Sequence, residues 1–389
     1  MKGLEVGIET LSTWCQQHPE SNVASEMEIC AMSRMEPSQS SHENIFGCKR
    51  SYAASASDWK RNNSSDNYLS PAEANKLASN IDAIILKHFP RHVHELNGLD
   101  NFKELTKDIF IPFGAKLVQI VDRCWIRIST ELQKKTLNEF IEIRKDSYYD
   151  LEKFYTLSTS LQLVKHLIQE QFDNDVKSCK EFILRLCNIV DKIEPEKNTI
   201  CIEGDSNAGK SMFVNSLANL IWSVGYVESN INRSSNFPFK NLLEKRIGVM
   251  GEFTYSKSLF QSLKKLFEGA PFNCAVKHKS CVVLPRTPII ITTNHNFTQL
   301  FTDACDRAAI LNHVYIYNWK KQEWLKDCYK QIHPLVWMRL VYSHIKNDEF
   351  FVEPVDRANL LTLCKNEHVK SDTKLSYEQM LSRFNNFIK

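Results

Sequence analysis

The octapeptide Gly204-Asp205-Ser206-Asn207-Ala208-Gly209-Lys210-Ser211 constrains this chain more than any other feature. It fits G-x-x-x-x-G-K-[ST], a loop whose backbone N–H groups close around phosphate oxygens and whose glycines stand where a Cβ would intrude. In that geometry Lys210 reaches the β/γ-phosphates and the Ser211 hydroxyl ligates Mg2+, while the following helix turns its positive end to the anion. With 11 Gly in 389 residues, chance supplies roughly 0.003 such matches per chain. The flanks agree with the motif. Asn198–Glu203 (NTICIE) is a short apolar run that reads as a buried strand, and Ser211–Trp222 (SMFVNSLANLIW) reads as a helix with a broad apolar face. Residues Gly204 to Ser211 are therefore the candidate nucleotide contacts.

Two more short apolar runs follow, Arg246–Met250 (RIGVM) and Pro288–Thr293 (PIIITT). Strand–loop–helix alternation with such strands predicts a parallel α/β sheet. The first run ends in Gly251-Glu252, 42 residues past Lys210, which makes Glu252 the candidate acid for organising magnesium and activating water. The second ends in Asn294, 42 residues further on, a candidate for sensing the γ-phosphate and holding the attacking water. Thirteen residues later Arg307 is a candidate to act in trans on a neighbour's nucleotide. A strand-end Asn or an isolated Arg is more often a turn or surface residue; order and spacing within 104 residues carry the assignment. Between the second and third strands, Lys277-His278-Lys279 lies past the helix-ending Gly269 and reads as a hairpin tip. Two cations there suit the backbone phosphates of a single nucleic-acid strand. Lys257, Lys264 and Lys265 read instead as a solvated helix face.

The ordered set GDSNAGKS, IGVMGE, VKHK and PIIITTN, followed by Asp306-Arg307, resembles the superfamily 3 helicase domain. It is most similar to that of parvovirus and densovirus non-structural replication proteins, and Asn236-Phe237-Pro238-Phe239 resembles the segment that precedes their second motif. The resemblance covers about residues 176–320. It implies an AAA+-like P-loop NTPase with a central parallel sheet that assembles into a ring, usually hexameric, and moves 3′→5′ along single-stranded DNA using ATP and Mg2+ in the host nucleus. Carried over, Lys210 and Ser211 are the Walker A pair, Glu252 the Walker B acid, Lys277 and Lys279 the DNA-contacting hairpin, Asn294 the sensor and Arg307 the arginine finger. Ser211 and Glu252 are then the protein's magnesium ligands. One departure stands out: that family often has two adjacent acids where this chain has Gly251-Glu252, which puts the metal geometry and turnover in question more than the fold.

Family members usually also carry an N-terminal origin nickase, which needs two His on a strand and a Tyr-x-x-x-Lys helix. His92-Val93-His94 and Tyr149-Asp150-Leu151-Glu152-Lys153 occur in the right order. With 12 His and 12 Tyr, chance supplies about 0.15 such His pairs and about one such Tyr motif. The surroundings read as helical: Ser70-Pro71-Ala72-Glu73 is a helix start, and Lys103–Phe110 and Thr130–Phe154 carry apolar residues at spacings of three and four. Leu117–Ile128 reads equally as strand or buried helix. The expected organisation is a loosely ordered arm over 1–66 and a mainly helical domain over 67–175, for oligomerisation or as a degenerate nickase. The ATPase domain then occupies 176–325 and a helical tail 326–389.

Composition bounds the rest. Forty-nine Lys+Arg against 46 Asp+Glu give +3, so nucleic-acid contact is expected in local loops rather than over the whole surface. No apolar run reaches the ~18–20 residues of a spanning helix and the N-terminus lacks a signal-peptide order, so a soluble intracellular chain without membrane contact is expected. Twelve cysteines without a Cys-x-x-Cys pair are expected to be reduced packing residues. Two other readings stay open: an RNA-virus NTPase of the same superfamily, and a nucleotide-dependent oligomeric scaffold without turnover.

Overall fold

A computed structural model describes residues 69–369, apart from 91, 109, 228–236, 255, 276–280, 347 and 348. The expected arm over 1–66 lies outside the described residues, as do Lys277 and Lys279. In chain order the elements are α1 (Pro71–His88), α2 (Asp100–Thr106), α3 (Phe110–Gln133), α4 (Leu137–Arg144), α5 (Leu157–Gln171), α6 (Val176–Val190), β1 (Thr199–Gly204), α7 (Lys210–Ile221), β2 (Val224–Val227), β3 (Ile247–Gly251), α8 (Phe260–Glu268), β4 (Phe272–Cys274), β5 (Val282–Leu284), β6 (Ile289–Thr293), α9 (Ala304–Leu311), β7 (Val314–Trp319), α10 (Val336–Lys346) and α11 (Arg357–Val369). The expected α/β class with a central parallel sheet, helices before it and helices after it is thus observed.

Local chemistry sets the helix starts. Ser70 caps α1 with a full capping box: Glu73 N donates to Ser70 Oγ (3.3 Å) while Ser70 N donates to Glu73 Oε2 (2.9 Å). The ambiguous run Leu117–Ile128 is helix, and Leu117, Val121, Cys124 and Ile128 share its buried stripe at helical spacing. Thr130–Phe154 is not one helix. α3 stops at Gln133, and Thr136 starts α4 through a second capping box with Glu139. Phe154 then forms a parallel bridge with Gln331, where Tyr155 N donates to the Gln331 carbonyl at 3.0 Å.

The five-stranded sheet runs β2-β3-β6-β1-β7 and every pairing in it is parallel. β6 therefore lies between the strand that feeds the phosphate loop and the strand that Glu252 follows. Both faces are covered, and alternate residues go to different cores. Ile200, Ile202, Val249 and Ile290 pack with the helices, whereas Cys201, Met250, Ile289 and Ile291 pack with α8 and the β4–β5 hairpin. The helices before Val176 share the first core with β1 and α7. One buried ion pair fastens these layers: Arg246 Nη2 meets Asp191 Oδ1 at 3.1 Å, while Asp191 also accepts from Leu137 N at 2.7 Å. β4 and β5 pair antiparallel, with Phe272 opposite Leu284 and Cys274 opposite Val282. No helix among the described residues is long and apolar enough to cross a membrane.

Candidate nucleotide-binding site

The loop geometry explains its two glycines. Gly204 ends β1 at φ +140°, and a Cβ there would stand 2.1 Å from the Trp319 carbonyl oxygen. Gly209 caps α7 at φ +87°, with Leu167 and Leu325 side chains about the space a Cβ would fill. Both positions need positive-φ conformations that glycine adopts without cost; Gly204 lets backbone approach backbone, and Gly209 leaves room for two leucine side chains. The helix α7 then starts on Lys210, with its first-turn N–H groups open toward the loop.

Lys210 is buried, and its ammonium is held by three oxygens. Nζ donates to the Gly204 carbonyl (2.6 Å), the Asp205 carbonyl (2.7 Å) and Asn294 Oδ1 (2.9 Å). Burial lowers its pKa below that of a free lysine, against the opposing pull of Glu252 and Asp205. Asn294 follows β6 directly, and its backbone N–H donates to Glu252 Oε2 at 3.3 Å. Glu252 follows β3 at φ +46°, its own N–H donating to the Thr292 carbonyl at 2.8 Å. The insertion of β6 thus places Asn294 between Lys210 and Glu252, so three of the sequence-predicted residues form one connected cluster at the C-terminal ends of three parallel strands. Ser211 is exposed beside it on α7.

Arg307 makes no hydrogen bond to that cluster. It sits half-buried on α9, with Nε donating to the Phe301 carbonyl at 3.0 Å. At Gly251 a Cβ would meet no heavy atom within 4 Å, so the missing first acid is not forced by lack of space. Among the described residues no cluster of three or more His, Cys, Asp or Glu could hold a metal by itself. The oxygen donors Ser211 and Glu252, beside a glycine-lined loop that would hold phosphate, fit a hard divalent ion that shares its coordination with phosphate.

Two supports escaped the sequence reading. Gln171, at the end of α5, donates from Nε2 to the Ala208 (3.0 Å) and Lys320 (2.8 Å) carbonyls and accepts from Lys320 N (2.6 Å). It ties the phosphate loop to the segment after β7. Glu203, buried at the end of β1, accepts from Phe297 N at 2.7 Å and fixes the chain just beyond Asn294. No local pattern marks either residue, because their partners lie 37 to 149 residues away.

The nickase residues are arranged otherwise than such a site needs. His92 precedes and His94 lies within a short 3-10 helix over Val93–Gly98, with their rings stacked 5.2 Å apart. No strand precedes Thr199 among the described residues. Tyr149 is buried outside any helix, and its hydroxyl donates to the Arg144 carbonyl at 3.2 Å.

A sequence model of the family described as parvovirus non-structural protein NS1 matches residues 131–338, just over half of the chain. The chain belongs to this family. The initiator protein NS1 of Bombyx mori densovirus is 30% identical over 204 residues, 50% of this chain and 22% of that protein. That of Diatraea saccharalis densovirus is 28% identical over 210 residues, 54% of this chain and 36% of that protein. The matched parts of the chain thus account for 22% and 36% of these NS1 relatives. Among solved structures, the JCV helicase with a bound acetamide compound is similar at a TM-score of 0.47 and 13% identity, over 80% of this chain and 93% of that one. The NS1-family match runs from α4 through β7 to the first residues of α10 and includes the whole Lys210–Asn294–Glu252 cluster.

Proposed function

We propose that this chain is an ATP-driven motor of NS1 type, which assembles into a ring, hexameric by family resemblance, and translocates along single-stranded DNA during viral replication in the host nucleus. The observation that carries the reading is the connected cluster of Lys210, Asn294 and Glu252 beside a glycine-shaped phosphate loop. Lys210 would exchange its carbonyl partners for the β/γ-phosphates. Asn294 would then present its side chain to the γ-phosphate and the attacking water, whose proton Glu252 accepts as the bond to the γ-phosphorus forms and the ADP oxygen leaves. Ser211 and Glu252 would hold Mg2+, which would supply charge neutralisation for the phosphates. Arg307, whose Nε donates to the Phe301 carbonyl rather than to the cluster, would act in trans in a neighbour's cleft. Lys277 and Lys279, which lie in sequence between β4 and β5, would grip the DNA backbone.

Lys210→Ala should abolish ATP turnover while leaving the far-UV circular dichroism spectrum and melting curve in place; persistent turnover would sink the mechanism. Lys277→Ala with Lys279→Ala should spare basal turnover, weaken single-strand binding and flatten its salt dependence. Gly251 supports a second reading, a scaffold that binds ATP without hydrolysing it. Ring formation with tight ATP binding and no turnover, with or without DNA or RNA, would favour it.

A further inference from the structure

The motor reading leaves a buried cation, Arg144, without a role or a counter-charge among the described residues. A cavity of about 950 Å³ opens where α1, α3 and α4 meet the far end of α7 and the start of β2. Arg144 stands in its wall, 5% exposed, and forms no ion pair among the described residues. Its Nη2 donates to the Asn219 carbonyl at 3.0 Å, whereas Nε and Nη1 have no acceptor, and neither has Nε2 of His88 in the same wall. The Phe89 ring lies 4.0 Å from the guanidinium carbon and the Tyr149 ring 5.2 Å from it, so two aromatic groups carry the cation. A guanidinium taken out of water with two donors unmet is costly, and an anion supplies what is missing.

The rest of the lining narrows that anion. Trp125 and Trp222 pack 4.8 Å apart between centroids, and Tyr148 stands at the mouth, 62% exposed. Such surfaces stack planar rings. Lys153, Lys240 and Lys245 line the cavity together with Glu95 and Asp150, so with Arg144 the lining stays net positive. The cavity falls within the range of small-molecule sites and exceeds what a lone phosphate fills. We propose that this cavity binds a nucleotide monophosphate unit, its phosphate on Arg144 and its base stacked among Trp125, Trp222 and Tyr148. The unit is either a free mononucleotide or the 5′-terminal nucleotide of a strand. The site is separate from the phosphate loop: α7 has 12 residues, and its two ends lie about 16 Å apart. Ala218 and Asn219 line the cavity while Lys210 begins the same helix, so a ligand here touches the far end of the element that forms the phosphate loop.

The test uses the full chain carrying Lys210→Ala, Lys277→Ala and Lys279→Ala, which removes the two nucleic-acid and nucleotide contacts already assigned. Titration calorimetry with thymidine monophosphate and with 5′-phosphorylated dT8 should give one site per chain for at least one probe. Binding by the free nucleotide identifies a mononucleotide site, and binding by dT8 alone identifies a strand-end site. Adding Arg144→Gln should weaken binding roughly tenfold to a hundredfold. Because Arg144 also holds the Asn219 carbonyl, the rim substitution Tyr148→Ala provides a second variant, which should weaken binding without lowering the melting temperature. The proposal is overturned if neither probe binds, if both added variants bind as before, or if benzoate binds where thymidine monophosphate does not.

Discussion

Lys210 Nζ lies 2.9 Å from Asn294 Oδ1, a contact across 84 residues that spans two adjacent parallel strands. It means that the lysine of the phosphate loop and the asparagine that follows β6 hold each other in position. Asn294→Ala should therefore lower ATP turnover by about two to three orders of magnitude, as removal of a transition-state hydrogen bond does elsewhere. ATP affinity, measured with a fluorescent analogue, should change only a few-fold. Equal losses in binding and turnover would show that Asn294 serves only to place Lys210.

Gly251 has open space where a side chain would go. Gly251→Asp should fold with a stability change within about 0.5 kcal/mol, and it adds a second carboxylate beside Glu252. The magnesium concentration for half-maximal turnover should fall. A shift to higher magnesium would show that the single acid is the better-matched ligand set.

Gln171 joins the phosphate loop to the segment after β7 through its amide. Gln171→Ala leaves the Ala208 and Lys320 carbonyls without that donor and should cost about 1–3 kcal/mol of stability. Differential scanning calorimetry should show the loss, and nucleotide affinity should fall with it. Gln171→Glu should be worse, since it turns a carboxylate toward two carbonyls.

His333 is buried against Tyr149 and Phe154 near Arg144, and burial pushes its pKa down to about 3. The unfolded chain binds this proton near pH 6.5, so between pH 6.5 and about 3 the unfolded state holds a proton that the folded state refuses. Its contribution is therefore fully favourable above pH 6.5 and declines on acidification, by at most about 1.4 kcal/mol per pH unit. Urea melts from pH 8 to 4 should show this slope, and His333→Phe should flatten it even if the variant starts from a lower stability.

Much of the site was legible because its information is local. The phosphate loop, the strands NTICIE, RIGVM and PIIITT, and the side chains at their ends follow from glycine spacing and short apolar runs. The capping box at Ser70 was equally plain, and the break before α4 had the same signature in Thr136 and Glu139, hidden by continuous apolar spacing on either side. β7 was harder to see: as an edge strand it is only half-buried over Tyr315–Tyr317, so VYIYNW shows neither a clean alternation nor a uniform apolar run. The roles of Gln171 and Glu203 left no trace at all, since a hydrogen bond across 37 or 94 residues has no sequence period. The sheet order belongs to the same class. That β6 lies between β1 and β3 decides the entire cluster, and only the folded chain states it.

The bracing of the phosphate loop also determines how the molecule can be cut. Leu167 and Gln171 reach it from before Val176, and Trp337 Nε1 holds Ser216 Oγ on α7 at 3.0 Å from beyond Leu325. A recombinant fragment trimmed to the motif-bearing stretch 176–325 would strip the nucleotide site of its walls on both sides. The smallest recombinant piece that still binds nucleotide should accordingly begin before Leu167 and end beyond Trp337.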